Sequence, residues 1–143
     1  MKKILFLFCL SMVASISAQD WQENFANAQA LAKKNNKGLL LVFAGSDWCA
    51  PCMKLEKAIW ESEDFKSFSK SDLILYKADF PRKKANRLSE AMTAQNHRLA
   101  EKYNPKGHFP LVVLLNGDAE VLGQTGYLKL SPNEYITHLK SMF

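Results

Sequence analysis

The chain has 143 residues, 19 Lys and Arg against 14 Asp and Glu for a formal net charge of +5, and three cysteines. That length holds one domain with a real core and excludes two, and the mild basic excess, with no aromatic-interleaved basic motif, excludes a nucleic-acid partner. So few cysteines also exclude a disulfide-stapled miniprotein, so stability must come from packing.

The first predicted element is a leader. Met1-Lys2-Lys3 is a positive n-region, Ile4 to Val13 an apolar h-region, and Ala14-Ser15-Ile16-Ser17-Ala18 a small-residue stretch that suits a signal peptidase. Residues 1–18 therefore read as a signal peptide cut before Gln19. The apolar run is shorter than the roughly 20 residues a bilayer span needs, which favours cleavage over a retained anchor. Leu7 and Phe8 before Cys9 do not suit lipid attachment. Cleavage removes Lys2, Lys3 and Cys9. It lowers the net charge from +5 to +3 and leaves Cys49 and Cys52 alone in a domain of residues 19–143.

Along that domain, Asp20 and Glu23 fit a capping box, with Phe25, Ala28, Leu31 and Ala32 at helical spacing and a stop near Asn35-Asn36-Lys37-Gly38, where Gly38 can take a left-handed conformation. Leu39 to Ala44 reads as a buried strand. Gly45-Ser46-Asp47 turns the chain into a helix from Ala50 to Trp60, with Pro51 in its first turn, where a missing N–H costs nothing. After a break at Glu61-Ser62, a short helix carries Phe65 and Phe68. A second strand spans Leu73 to Ala78. The stretch Phe80 to Asn86 is basic and irregular, and Leu88 to Tyr103 is helical. A third strand spans Phe109 to Leu115, and Asn116-Gly117-Asp118 forms a tight turn into Glu120–Gly123. Ser131-Pro132-Asn133-Glu134 starts a last helix whose buried face is Tyr135, Ile136, Leu139 and Met142. The order α-β-α-β-α-β-β-α, with no repeat or linker, predicts a single α/β domain.

Cys49 and Cys52 carry the chemistry. A Cys-x-x-Cys pair after an apolar strand, at the start of a helix, can close a small disulfide and reopen it. The helix N-terminus stabilises a thiolate on the first sulfur through its free N–H groups and dipole. A purely structural disulfide is a poor alternative, because so short a loop gains little chain-entropy stabilisation. Zinc or copper binding lacks ligands: there is no second Cys-x-x-Cys, and His97, His108 and His138 stand apart. His97 and His138 read as surface residues. The run Arg82-Lys83-Lys84 with Arg87 reads as a solvated face, with steering of an acidic partner as the alternative. Trp21, Phe25, Phe65, Phe68, Tyr76 and Trp60 read as core.

The chain resembles the thioredoxin-fold family over nearly all of residues 19–143. Trp48-Cys49-Ala50-Pro51-Cys52 resembles that family's W-C-G-P-C. Leu99-Ala100-Glu101-Lys102-Tyr103 followed by Phe109-Pro110 resembles its helix, loop and cis-proline strand, and Leu114-Leu115-Asn116-Gly117-Asp118 its last hairpin. The resemblance implies a central mixed sheet flanked by helices. It implies Cys49 as the more exposed, nucleophilic thiol and Cys52 as the shielded thiol that resolves a mixed disulfide. Pro110 becomes the cis-proline opposite them, with Trp48 and Phe109 beside it as substrate-binding surface. Ala50 and Pro51 become supporting residues; His108, two residues before Pro110, could support a Cys49 thiolate as His⁺, although an exposed loop imidazole is the favoured reading of it. In this alignment Val42 stands where the family has a buried aspartate, with one extra residue in Gly45-Ser46-Asp47, and Asp47 is expected to be exposed.

The resulting expectation is an exported, periplasmic thiol–disulfide oxidoreductase that uses no metal and no cofactor beyond its dithiol. Ala-Pro between the cysteines resembles reductants more than oxidants. Protein disulfides would be its substrates, a membrane thiol reductase its electron donor, and a monomer without membrane insertion its state. An oxidase or isomerase, and a thioredoxin-fold binding module with little turnover, are the alternatives.

Overall fold

The computed structural model describes residues 19–143, so the predicted signal peptide lies outside the described residues. The chain starts in a short strand, β1 (Trp21–Gln22), which pairs in parallel with the second core strand through Trp21↔Leu75 and Gln22↔Tyr76. The expected capping box at Asp20 is therefore displaced. Asn24 caps helix α1 (Phe25–Asn35) instead, its side chain accepting the N–H of Asn27. Trp21 explains the shift: extended backbone lays its ring edge-on to Trp60, 6.4 Å between centroids. At the other end of α1 it is Asn36, at φ 51°, that takes the left-handed conformation, while Gly38 already pairs as the first residue of β2 (Gly38–Ala44).

Helix α2 (Ala50–Leu55) runs into a single π-helical turn, Glu56–Trp60, in which the Glu61 N–H reaches back to the Glu56 carbonyl. The wider turn keeps Leu55, Ile59 and Trp60 all buried, where one ideal α-helix was expected. Helix α3 (Glu63–Asp72), capped by Ser62, buries Phe65 and Phe68. Strand β3 (Leu73–Asp79) follows, then a 3₁₀ turn at Lys84–Asn86 and helix α4 (Glu90–Tyr103), capped by Ser89. Strand β4 is Leu111–Leu115, so Phe109 and Pro110 precede the strand rather than open it. Strand β5 is Val121–Thr125. In the β4–β5 connection the positive φ belongs to Ala119, at 61°, not to Gly117. Gly117 is needed for another reason: a Cβ there would sit 2.7 Å from the Cα of Lys33 in α1. Helix α5 (Pro132–Lys140) has the expected capping box between Ser131 and Glu134, and Met142 packs just beyond its end. The observed order is therefore β-α-β-α-α-β-α-β-β-α.

The sheet order is β1-β3-β2-β4-β5, with β1, β3 and β2 mutually parallel, β4 antiparallel to β2 and β5 antiparallel to β4, which is the mixed α/β sheet expected. Strand alternation separates two cores. Leu40, Val42, Leu73, Leu75, Val112 and Leu114 face α2, α3 and α5; Leu39, Leu41, Phe43, Tyr76, Val113 and Leu115 face α1 and α4. Residues such as Leu40 and Leu114, fully buried, each contribute about 1.5–3 kcal/mol of hydrophobic stabilisation. Tyr76 is the polar exception. Its hydroxyl donates to Asn96 at 2.7 Å and accepts from Gln95 at 2.6 Å, and Asn96 donates in turn to the Asp79 carbonyl. These bonds fix α4 against the end of β3, next to the turn that carries the cysteines. Among the described residues no helix is long and apolar enough to cross a membrane.

Candidate active site

Strand β2 ends at Ala44, and the turn after it is built so that a large ring can lie on the backbone. The N–H groups of Trp48 and Cys49 both reach the Gly45 carbonyl, at 3.3 and 2.9 Å. A Cβ on Gly45 would stand 2.2 Å from the Trp48 indole, so only glycine lets that ring rest there. Cys49 then caps α2 with its own sulfur, which accepts the Cys52 N–H at 3.3 Å. The two cysteines are joined as a disulfide, their Cα atoms 5.2 Å apart. Ala50 and Pro51 are exposed in the first helical turn.

Both cysteines are 5% exposed, and both belong to the core cluster that includes Val42, Leu55 and Val112. The expected contrast between an open Cys49 and a shielded Cys52 is thus absent in the oxidised pair. The physical reason is the cap: the Cys49 sulfur is turned inward, onto the helix N-terminus and its bonded partner.

Behind Cys52 lies a cavity of about 330 Å³ whose walls include Ala44, Met53, Glu56 and Lys77. Val42, the position assigned to the family's buried acid, is 1% exposed and purely apolar. A carboxylate nonetheless reaches this region from elsewhere. Glu56 stands one helical turn after Cys52, the i,i+4 spacing that places two side chains on one face. Its Oε2 is 2.5 Å from Nζ of Lys77, the β3 residue directly opposite Val42 in the sheet register. Sequence reasoning missed this pair, although the Cys52–Glu56 spacing was a usable signal.

The opposite bank of the dithiol comes from the loop after β3. Asp47 is half-buried rather than exposed, because its carboxylate accepts the backbone N–H groups of Arg82 and Lys83, both at 2.9 Å, and Nδ2 of Asn86 at 3.0 Å. The Arg82 N–H foremost, outweighing desolvation, holds the Asp47 carboxyl below its ordinary pKa. Ser46 donates its N–H and hydroxyl to Asp79, and the Trp48 indole N–H donates to the Phe80 carbonyl at 2.7 Å. The Arg82 guanidinium lies 3.8 Å over the Trp48 ring. Trp48 meets Phe109 edge-on at 5.3 Å, and Phe109 meets Phe80 at 5.5 Å. Trp48, Phe80 and Phe109 thus form one half-buried aromatic wall.

The Phe109–Pro110 bond is cis, and Asn104 clamps the preceding backbone by accepting the His108 N–H and donating to its carbonyl, both at 2.8 Å. The His108 side chain itself is exposed, and the hydrogen bonds described for this residue are those of its backbone. His97 is exposed and lies edge-on to Phe80, while His138 is half-buried with Nε2 3.0 Å from the Thr125 hydroxyl. Among the described residues no three His, Cys, Asp or Glu side chains are grouped as metal ligands would be.

With the dithiol, helix and strand arrangement in place, comparison with known proteins decides the family. Residues 20–117, most of the chain, match the thioredoxin-like family. The chain belongs to that family. It is 32% identical over 133 residues to the disulfide bond reductase DsbH of Chlamydia pneumoniae, a match covering 92% of this chain and 78% of the relative. It is 26% identical over 106 residues to the thioredoxin-related protein DsbJ of the same organism, covering 74% of this chain but 30% of that longer protein. The solved structure of a DsbH oxidoreductase superposes with a TM-score of 0.80 at 30% identity, covering 93% of this chain and 91% of the other. This thioredoxin-like chain, with its Cys-x-x-Cys pair, is a thiol–disulfide oxidoreductase.

Proposed function

We propose that the protein is an exported, monomeric reductant of protein disulfides, with Cys49 as nucleophile and Cys52 as resolving thiol. The observation that carries this reading is the capped dithiol: the Cys52 N–H that Cys49 sulfur accepts in the disulfide is placed to stabilise a Cys49 thiolate once the bond is reduced. The likeness to a disulfide bond reductase supports the direction. The Cys49 thiolate attacks one sulfur of a substrate disulfide, forming a mixed disulfide and releasing the first substrate thiolate. Cys52 loses its proton and attacks the Cys49 sulfur, releasing the second substrate thiolate and leaving the Cys49–Cys52 disulfide. The substrate gains two electrons and the protein loses two. A membrane thiol reductase would restore them in an oxidising compartment.

Glu56, held by Lys77 beside the cavity that Cys52 borders, is the proton acceptor we assign to the resolving step, in place of an acid at position 42. Trp48, Phe109 and Pro110 bind the substrate segment, and Ala50, Pro51 and the His108 backbone shape the rim. Insulin reduction with dithiothreitol tests the reading. Acceleration over the reductant alone, its loss in Cys49→Ser, and trapped mixed disulfides in Cys52→Ser are expected. No acceleration, or full activity in Cys49→Ser, overturns it.

A further inference from the structure

The irregular stretch after β3 carries Arg82, Lys83, Lys84 and Arg87 within eight residues and no acid. Sequence alone favours reading it as a solvated face. The fold takes it out of that category by fastening it to the redox turn. Asp47, two residues before Cys49, holds three of its donors, Trp48 holds its carbonyl at Phe80, and the Arg82 guanidinium stacks on the Trp48 ring. None of the four cations enters an ion pair among the described residues. The two acids that fasten the loop, Asp47 and Asp79, spend their oxygens on N–H, amide and hydroxyl donors. Even counted in full, they leave a net charge of +2 on this bank. Beyond Phe80, a cleft of about 270 Å³ is lined by Arg87 and Asp79 together with the neutral Thr93 and Asn96, so it adds room but no further net charge beside the aromatic wall.

We propose that this pinned basic loop and the aromatic wall form one docking surface, whose occupant is a protein disulfide flanked by Asp or Glu. The inference rests on the thiol-exchange reading above and adds the substrate class. The wall buries the apolar part of the substrate segment next to Cys49. The cations on its rim pair with carboxylates a few residues away and speed encounter by attraction. Arg82 serves both parts, since it lies over the ring that flanks the dithiol.

Two peptides test it, identical around one disulfide, one flanked by Asp and Glu and the other by Asn and Gln. Binding to the oxidised protein is measured on versions with the cysteines replaced by serine, so that no exchange is needed, and reduction is measured separately on the disulfide forms. The acidic peptide should bind about tenfold more tightly at low salt, the effect of three exposed charge pairs of ordinary strength. That preference should shrink to less than about twofold near 0.5 M salt, where the screening length is only a few ångströms. It should shrink similarly in Lys83→Ser/Lys84→Ser/Arg87→Ser. Equal affinity for the two peptides, or a preference untouched by salt, overturns the proposal, and the salt series decides the matter even if the triple variant folds poorly. A salt-sensitive acidic preference without reduction of either peptide would uphold the surface and sink the reductase reading alone.

Discussion

The two banks of the dithiol are built on different principles. The helix bank is local. Trp48 to Cys52 is one pentapeptide, Cys49 caps its own helix, and Glu56 follows one turn later. The loop bank is assembled across 32 to 39 residues of sequence, by Asp47 and Trp48 reaching to Phe80, Arg82, Lys83 and Asn86. On the proposed reading the difference separates tasks: bond exchange would depend on contiguous residues, and recognition on a tertiary joint that can vary without disturbing the sulfurs.

The sharpest way to probe the helix bank alone is Glu56→Gln. It should slow resolution by Cys52 about a hundredfold, within the ordinary range for loss of a general base, while the first attack by Cys49 keeps its rate. Single-turnover trapping of the mixed disulfide measures both, and an equal effect on the two steps would contradict the assignment. Next in size is Gly45→Ala, which forces the Trp48 ring off the turn. Overpacking of this kind costs about 1–3 kcal/mol, seen as a lower denaturation midpoint, and it should weaken substrate affinity more than the exchange rate.

Asp47→Ala should release the loop without unfolding the domain, making residues 80–87 the first site of limited proteolysis. Acid should do the same to the native chain. Because the carboxyl is held below its ordinary pKa in the fold, its contribution is present above the unfolded carboxylate pKa and is lost as pH falls through the lower folded value. Proteolytic release of the loop as pH drops through that range, absent from Asp47→Ala, would check the sign. The smallest effect belongs to Arg82→Ala, where loss of an exposed cation–π contact is worth about 0.5–1 kcal/mol. A few-fold rise in KM with kcat unchanged is expected.

This division also explains what could be read in the sequence. The strands β2, β3 and β4 were legible because apolar runs of that length can only be buried, and the redox pair because its spacing and position are local. Trp21–Gln22 was not, since a two-residue strand is fixed by its partner β3 and by Trp60 rather than by its own pattern. The helix ends where expected, but its left-handed residue is Asn36 rather than Gly38, because asparagine tolerates that conformation and Gly38 is already paired in β2, where a Cβ would meet the Phe143 ring at 2.8 Å. Asp47 read as a solvent-facing turn residue because its partners lie more than 30 positions away. The π turn was invisible for a related reason: packing of Ile59 and Trp60, not helical periodicity, sets it.

The burial of both cysteines among Val42, Leu55 and Val112 makes the hydrophobic core an electrochemical component. Dithiol and disulfide differ in volume and polarity, so the core packs the two states with unequal free energy, and that inequality is part of the reduction potential. A substitution such as Val112→Ala that favours one state over the other by about 1.4 kcal/mol would move the midpoint by about 30 mV. Evolution could therefore retune this protein's redox poise from residues outside the aromatic wall and the pinned loop.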